Sequence, residues 1–271
     1  MSYTSSSLAP ESVRRSLQSP PTTIDRILTL IALLLLAIQA ALDAKVSMEA
    51  SAGVAVLTLL LTLLARQVGS RECQTVPTLV FSLVMAQQGG TPWPIAMILA
   101  LILFVGIARL RSDVPLEKDW TAIGKIPLGS ILLVGGVTPF ALTSWLLWTT
   151  PDLSDLTQSP LLKVPKLWLV IGSLLFSVIN PALEELIWRG VLQTQLRAQW
   201  GLTVTLLLQA LSFGLQHLHG FPRGVIGVVL ATLWAIPLGL LRHHTSGLAA
   251  PYLAHVVADA TIALLVMFYV L

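Results

Sequence analysis

Nine apolar runs, joined by short polar or glycine- and proline-bearing stretches, dominate this chain. They lie at about Ile24–Leu42, Ala50–Ala65, Val76–Ala86, Pro94–Leu110, Ile126–Trp148, Leu167–Leu196, Leu202–Leu218, Gly224–Leu241 and Leu248–Leu271. Most are long enough to cross a bilayer as a helix, and in hydrocarbon a spanning backbone must satisfy its own N–H and C=O groups. The chain therefore reads as an all-α, polytopic transmembrane helical bundle of about eight or nine membrane segments. The third run, Val76–Ala86, is short for a span and closer to a buried or re-entrant segment.

Composition agrees. Of 271 residues, 55% are hydrophobic and only 11% charged, where soluble domains carry about 25% charged residues. A net charge of +3 does not point to nucleic acid, because the bases are scattered through short loops and form no stripe. With the N-terminus inside and nine crossings, all of the sixteen bases except Lys45, Lys163, Lys166 and Arg223 fall on the inner side. Removing the third crossing destroys that bias, so the positive-inside rule favours keeping it. Residues 1–23, rich in Ser, Pro and Thr, read as a disordered cytoplasmic tail, and 24–271 as one transmembrane domain whose first run is an uncleaved anchor. The loop from Arg111 to Lys125 could form a short interfacial helix, and the acidic stretch after Trp148 reads as a plain connector. The single cysteine, Cys73, excludes an intramolecular disulfide and any multi-thiolate metal site.

Against this background the sixth run is anomalous. Pro181-Ala182-Leu183-Glu184-Glu185-Leu186-Ile187-Trp188-Arg189-Gly190 places two carboxylates and a guanidinium within an apolar span. Ionised groups at bilayer depth cost several kcal/mol by insertion scales and generally face a partner or a wet cavity. Glu185 and Arg189 are four apart on one helical face, acid first, and can pair. Glu184 points about 100° away and has no local base, which makes it the candidate for chemistry.

Two histidines have the spacing to reach it. Gly201 lies nearly midway between Glu184 and His217, so an antiparallel hairpin turning there sets both at one height. Phe213, one turn before His217, shares its face and would wall the site. The breaker Gly220-Phe221-Pro222 comes next, and broken backbone at membrane depth is tolerated only beside protein or water. In the last run His255 and Asp259 are four apart on one face. Simple spans would put His217 near an outer end and His255 near an inner end, so a meeting requires a short or broken helix at Gly220–Pro222. His219 suits a cavity or interface position, and His243 and His244 an exposed turn.

Together the three segments resemble the CAAX protease and bacteriocin-processing family of intramembrane endopeptidases, the abortive-infection type, with its pattern E-E-x-x-x-R, F-x-x-x-H and H-x-x-x-N. Here it reads EELIWR (Glu184–Arg189), FGLQH (Phe213–His217) and HVVAD (His255–Asp259), within a family-like core at about 165–271. Asp259 replaces the usual asparagine. The resemblance implies hydrolysis of a peptide bond in a peptide or membrane-associated protein. Glu184 is then the general base that activates a water shared with His217, and His255 with residue 259 stabilises the oxyanion. An aspartate can only accept hydrogen bonds, so Asp259 would instead orient His255. Glu185, Arg189 and Phe213 are support.

One divalent metal, zinc, could be held by Glu184, His217 and His255, but that use of Glu184 removes the only obvious base. A metal-free, glutamate-dependent mechanism is the preferred expectation. A bacterial cytoplasmic or thylakoid-type membrane is the expected location, with the bilayer and a peptide as partners. The competing expectation is a non-enzymatic membrane protein of the same fold, a small transporter or an immunity-type binding protein, since buried acids and histidines also relay protons.

Overall fold

The computed structural model describes residues 20–42, 48–69, 72–111, 114, 116–151 and 165–270. Most of the expected tail and most of the connector after Trp148 lie outside these residues. Among the described residues the chain is helical and has no strand, and nine helices match the nine apolar runs in order: α1 (Thr23–Ala41), α2 (Met48–Val68), α3 (Thr75–Ala86), α4 (Trp93–Leu110), α5 (Leu128–Thr149), α6 (Lys166–Gln199), α7 (Leu202–Leu215), α8 (Gly224–Thr245) and α9 (Ala249–Val270). Seven are long and apolar enough to cross a membrane, while α3 and α7 are shorter. The seventh run ends at Leu215, three residues before its apolar character does, which places the break where His217 needs it.

Lipid exposure explains the outward faces. Leu34, Leu60, Ile102, Leu133, Phe140 and Leu174 are all exposed, a belt that water would not tolerate and hydrocarbon does. The protein is an integral membrane protein. The short α3 is the converse case, buried along nearly its whole length among α1, α2 and α4.

Starts and stops obey local chemistry. Thr22 and Asp25 form a reciprocal capping box at the head of α1. Gly89 and Gly90, both at φ +72, turn the chain between α3 and α4, a conformation that glycine adopts without strain. Helices α7 and α8 pack tightly at Gly214, where a Cβ would lie 2.7 Å from the carbonyl oxygen of Val228. Small residues permit such approach where no hydrophobic force drives helices together. The loop before α5 contributes a single 3₁₀ turn, Lys118–Thr121, in place of an interfacial helix. It is pinned because Trp120 is buried against Phe104, at 5.8 Å between rings, and its carbonyl abuts Gly190.

Cys73 sits in the 3₁₀ turn before α3, 1% exposed, its Sγ 3.6 Å from the Asp25 carbonyl. Burial, with the Asp25 charge adding to it, pushes the thiol up to about 12. The thiolate is the reactive species, so at pH 8 the folded protein should not react with maleimide and should become reactive on denaturation. Stoichiometric labelling of the native protein would contradict this.

Candidate active site

Helix α6 carries the acids on an altered backbone. Pro181 cannot donate the helical bond to the preceding turn, and from Glu185 to Leu192 the helix widens to π geometry before α-geometry resumes at Gln193. Such insertions recur at functional sites. Within the widened segment Glu185 and Arg189 pair, as their spacing suggested, with Nη1 donating to Oε1 at 2.8 Å. Arg189 is fully buried, its guanidinium 4.5 Å above the Phe213 ring and its Nη2 3.5 Å from the Ala235 carbonyl.

Glu184 faces the other way, into a cavity of about 600 Å³ that it lines with Asn180, His217, His219 and Asp259. The turn after Leu215 brings His217 back over Phe213, at 4.8 Å between rings, with Nδ1 3.2 Å from the Phe213 carbonyl. Since a carbonyl only accepts, that contact calls for a proton on Nδ1, and in the neutral ring Nε2 then carries the lone pair. Aromatic rings close the back: Phe213 meets Trp188 edge-on at 5.5 Å, and Trp93 lies 6.1 Å from Trp188. His219 is at the exposed rim, while His243 and His244 lie exposed in the last turn of α8, remote from the cavity lining.

His255, 2% exposed on α9, sits just behind the cavity wall. Its Nδ1 is 2.7 Å from Glu185 Oε1, while Nε2 is 3.4 Å from Glu184 and 3.6 Å from Asp259. The i, i+4 spacing pointed to Asp259 as the carboxylate that orients His255; the one at hydrogen-bond distance is Glu185. Direct contact of His255 with an oxyanion is also not what this placement offers, because Glu184 and Asp259 stand between it and the cavity. Trp234 and Phe213 hold the imidazole edge-on at 4.9 and 5.9 Å. The strain expected between His217 and His255 is relieved because α7 ends at Leu215, before His217 and ahead of the break expected at Gly220–Pro222.

Two residues escaped the sequence reading. Trp93, left just outside its apolar run, donates its indole N–H to Glu184 Oε1 at 2.8 Å. Asn180, one turn before Glu184, donates to Asp259 Oδ2 at 2.9 Å. Asn180 was visible as a polar residue on the Glu184 face, but Trp93 comes from 91 positions away and no local signal could reveal it.

A zinc site would need Glu184, His217 and His255 to aim free donors at one point. In the structure Trp93 occupies one Glu184 oxygen and leaves the other, Glu185 holds His255 at Nδ1 and leaves Nε2, and His255 does not line the cavity. Among the described residues no three His, Cys, Asp or Glu are grouped as a metal-ligand set.

Fold and site together define a polytopic membrane protein with an acid–histidine centre buried between its helices. Residues 166–261, the segment that supplies Glu184, His217, His255 and Asp259, match the family model described as Type II CAAX prenyl endopeptidase Rce1-like. As its description says, that family is one of endopeptidases. Neither a curated protein nor a solved structure gives a significant match to the chain.

Proposed function

We propose that this protein is an intramembrane endopeptidase in which Glu184 and His217 activate a water for attack on a peptide bond. The observation that carries the reading is the convergence of Glu184, His217 and Asp259 on one cavity, with His255 bracing two of them from behind. Trp93 ties down Oε1 of Glu184, and Oε2, 3.4 Å from His255 Nε2, takes the proton of a water. The His217 lone pair accepts the water's second hydrogen bond and fixes its direction of attack. His255, held by Glu185 and through it by Arg189, sets the position and charge balance of Glu184 and Asp259. Collapse of the tetrahedral intermediate returns the Glu184 proton to the leaving amine. The reaction runs on side chains alone.

Arg26, Arg66, Arg109, Arg111, Lys125, Arg197 and Arg242 gather at the end of the bundle opposite the cavity mouth, which is formed by the α1–α2, α3–α4 and α7–α8 connections. By the positive-inside rule the N-terminus is then cytoplasmic and the cavity opens to the other face, in a bacterial or thylakoid-type membrane. Met48, at the mouth and 80% exposed, reports on this. With Cys73 unreactive, a Met48→Cys variant should be labelled in intact cells by a membrane-impermeant maleimide, and protection until lysis would reverse the orientation.

The test of the activity is purified protein in lipid nanodiscs with a set of apolar and prenylated peptides, products read by mass spectrometry. Internal cleavage that survives chelators supports the reading. Absence of any cleavage, or cleavage that requires added zinc, overturns it in whole or in its metal-free form.

A further inference from the structure

Two glutamines in the cavity wall carry amide nitrogens with nothing to bond. Gln87 directly follows α3 and Gln216 directly follows α7, so they reach the cavity from different connections. The Nε2 atoms of both are buried and meet no hydrogen-bond partner among the described residues. Other amides of the wall are closed. Gln39 Nε2 donates to Ser51 Oγ at 3.1 Å, Ser51 Oγ donates to Gln88 Oε1 at 3.0 Å, and Gln88 Nε2 donates to the Val84 carbonyl at 2.8 Å. Asn180 is committed to Asp259. A buried donor without a partner is destabilising, so two of them in one cavity wall point to a ligand that supplies acceptors.

Peptide hydrolysis at Glu184 creates the matching demand. A segment that arrives from the bilayer has its N–H and C=O groups bonded within a helix, and presenting one carbonyl to the water requires that stretch to be extended. Extension frees main-chain donors and acceptors on both sides of the cleaved bond, and in a protein-walled cavity they need new partners. A carboxamide offers both kinds, Nε2 as donor and Oε1 as acceptor, without a charge. Gln216 immediately precedes His217, and Gln87 begins the connection that leads to Trp93, so each lies in the chain close to a residue of the acid–histidine centre.

We propose that Gln87 and Gln216 bind the main chain of the extended substrate, their amides hydrogen-bonding peptide units that flank the cleaved bond. The assignment rests on the hydrolase reading and deepens it: what these two contacts recognise is polypeptide backbone, with little regard to side-chain sequence.

Gln87→Met and Gln216→Met keep the length of each side chain and break no bond from Nε2 to the protein, so both should melt no lower than wild type. Each is expected to lower kcat/KM about three- to tenfold, the scale of one hydrogen bond, and to do so through KM. The contact itself is read with a cleaved peptide from the nanodisc panel, remade as a series in which one peptide unit at a time is replaced by an ester, which lacks the N–H and accepts weakly. An ester at the contacted unit should slow wild type by a similar factor and the matching methionine variant hardly at all, a coupling that a structural role for the glutamine does not produce. Ester effects that are equal in wild type and both variants, or variants with unchanged KM, overturn the assignment while the hydrolase reading stands. Wild type that cleaves no peptide overturns the hydrolase reading, and fluorescence anisotropy of labelled panel peptides on Glu184→Gln protein then decides the contact separately. Binding that weakens with either methionine added keeps it, and binding that is absent or ignores both methionines ends it.

Discussion

Glu184→Gln is expected to abolish peptide hydrolysis while leaving the bundle folded. The glutamine carbonyl can still accept from the Trp93 indole, so the local packing keeps its 2.8 Å anchor. The variant loses the proton acceptor, and positioned general bases typically contribute about 10²- to 10⁴-fold. A larger loss is consistent as well, because Glu184 also returns the proton to the leaving group. The check is the rate of product formation in nanodiscs beside the melting temperature of the same preparation: a fall in rate with an unchanged melting curve. Activity near the wild-type level would remove Glu184 from the chemistry.

The second large effect falls on folding. Arg189→Met keeps length and apolar contact with Phe213 but leaves Glu185, 1% exposed, with the His255 imidazole at 2.7 Å in place of its ion pair. Removing one member of a buried ion pair costs about 3–5 kcal/mol, because the other charge stays desolvated and uncompensated. The variant should lose its monodisperse peak in detergent and melt well below wild type. Removing both charges, as Arg189→Met with Glu185→Leu, should recover most of that stability, since an apolar replacement of a buried pair is often neutral. Activity is not expected to return in the double variant, because His255 has then lost its 2.7 Å partner. A single variant as stable as wild type would show the pair to be dispensable.

Much of this was legible in the residues. Apolar run length alone located all nine helices to within a few residues, since a lipid-embedded backbone has so few alternatives. The i, i+4 spacing of Glu185 and Arg189 revealed their ion pair, while α7 ends at Leu215, ahead of the break read at Gly220–Pro222. Contacts between distant segments were not legible. The indole on Glu184 and the amide on Asp259 depend on how α4, α6 and α9 pack, which periodicity does not encode. The π segment of α6 was missed for a related reason, because one widened turn leaves the apolar pattern intact while rotating every residue C-terminal to it.

The central claim is that Glu184 of α6 and His217 of the turn after α7 act on one and the same water. A double-mutant cycle on kcat measures this directly, using Glu184→Gln, His217→Ala and the two combined in a cleavage assay sensitive enough to track residual rates. Groups that work as a unit are strongly non-additive. The double variant should therefore be no slower than Glu184→Gln alone. Losses that multiply would mean that the two side chains serve separate functions.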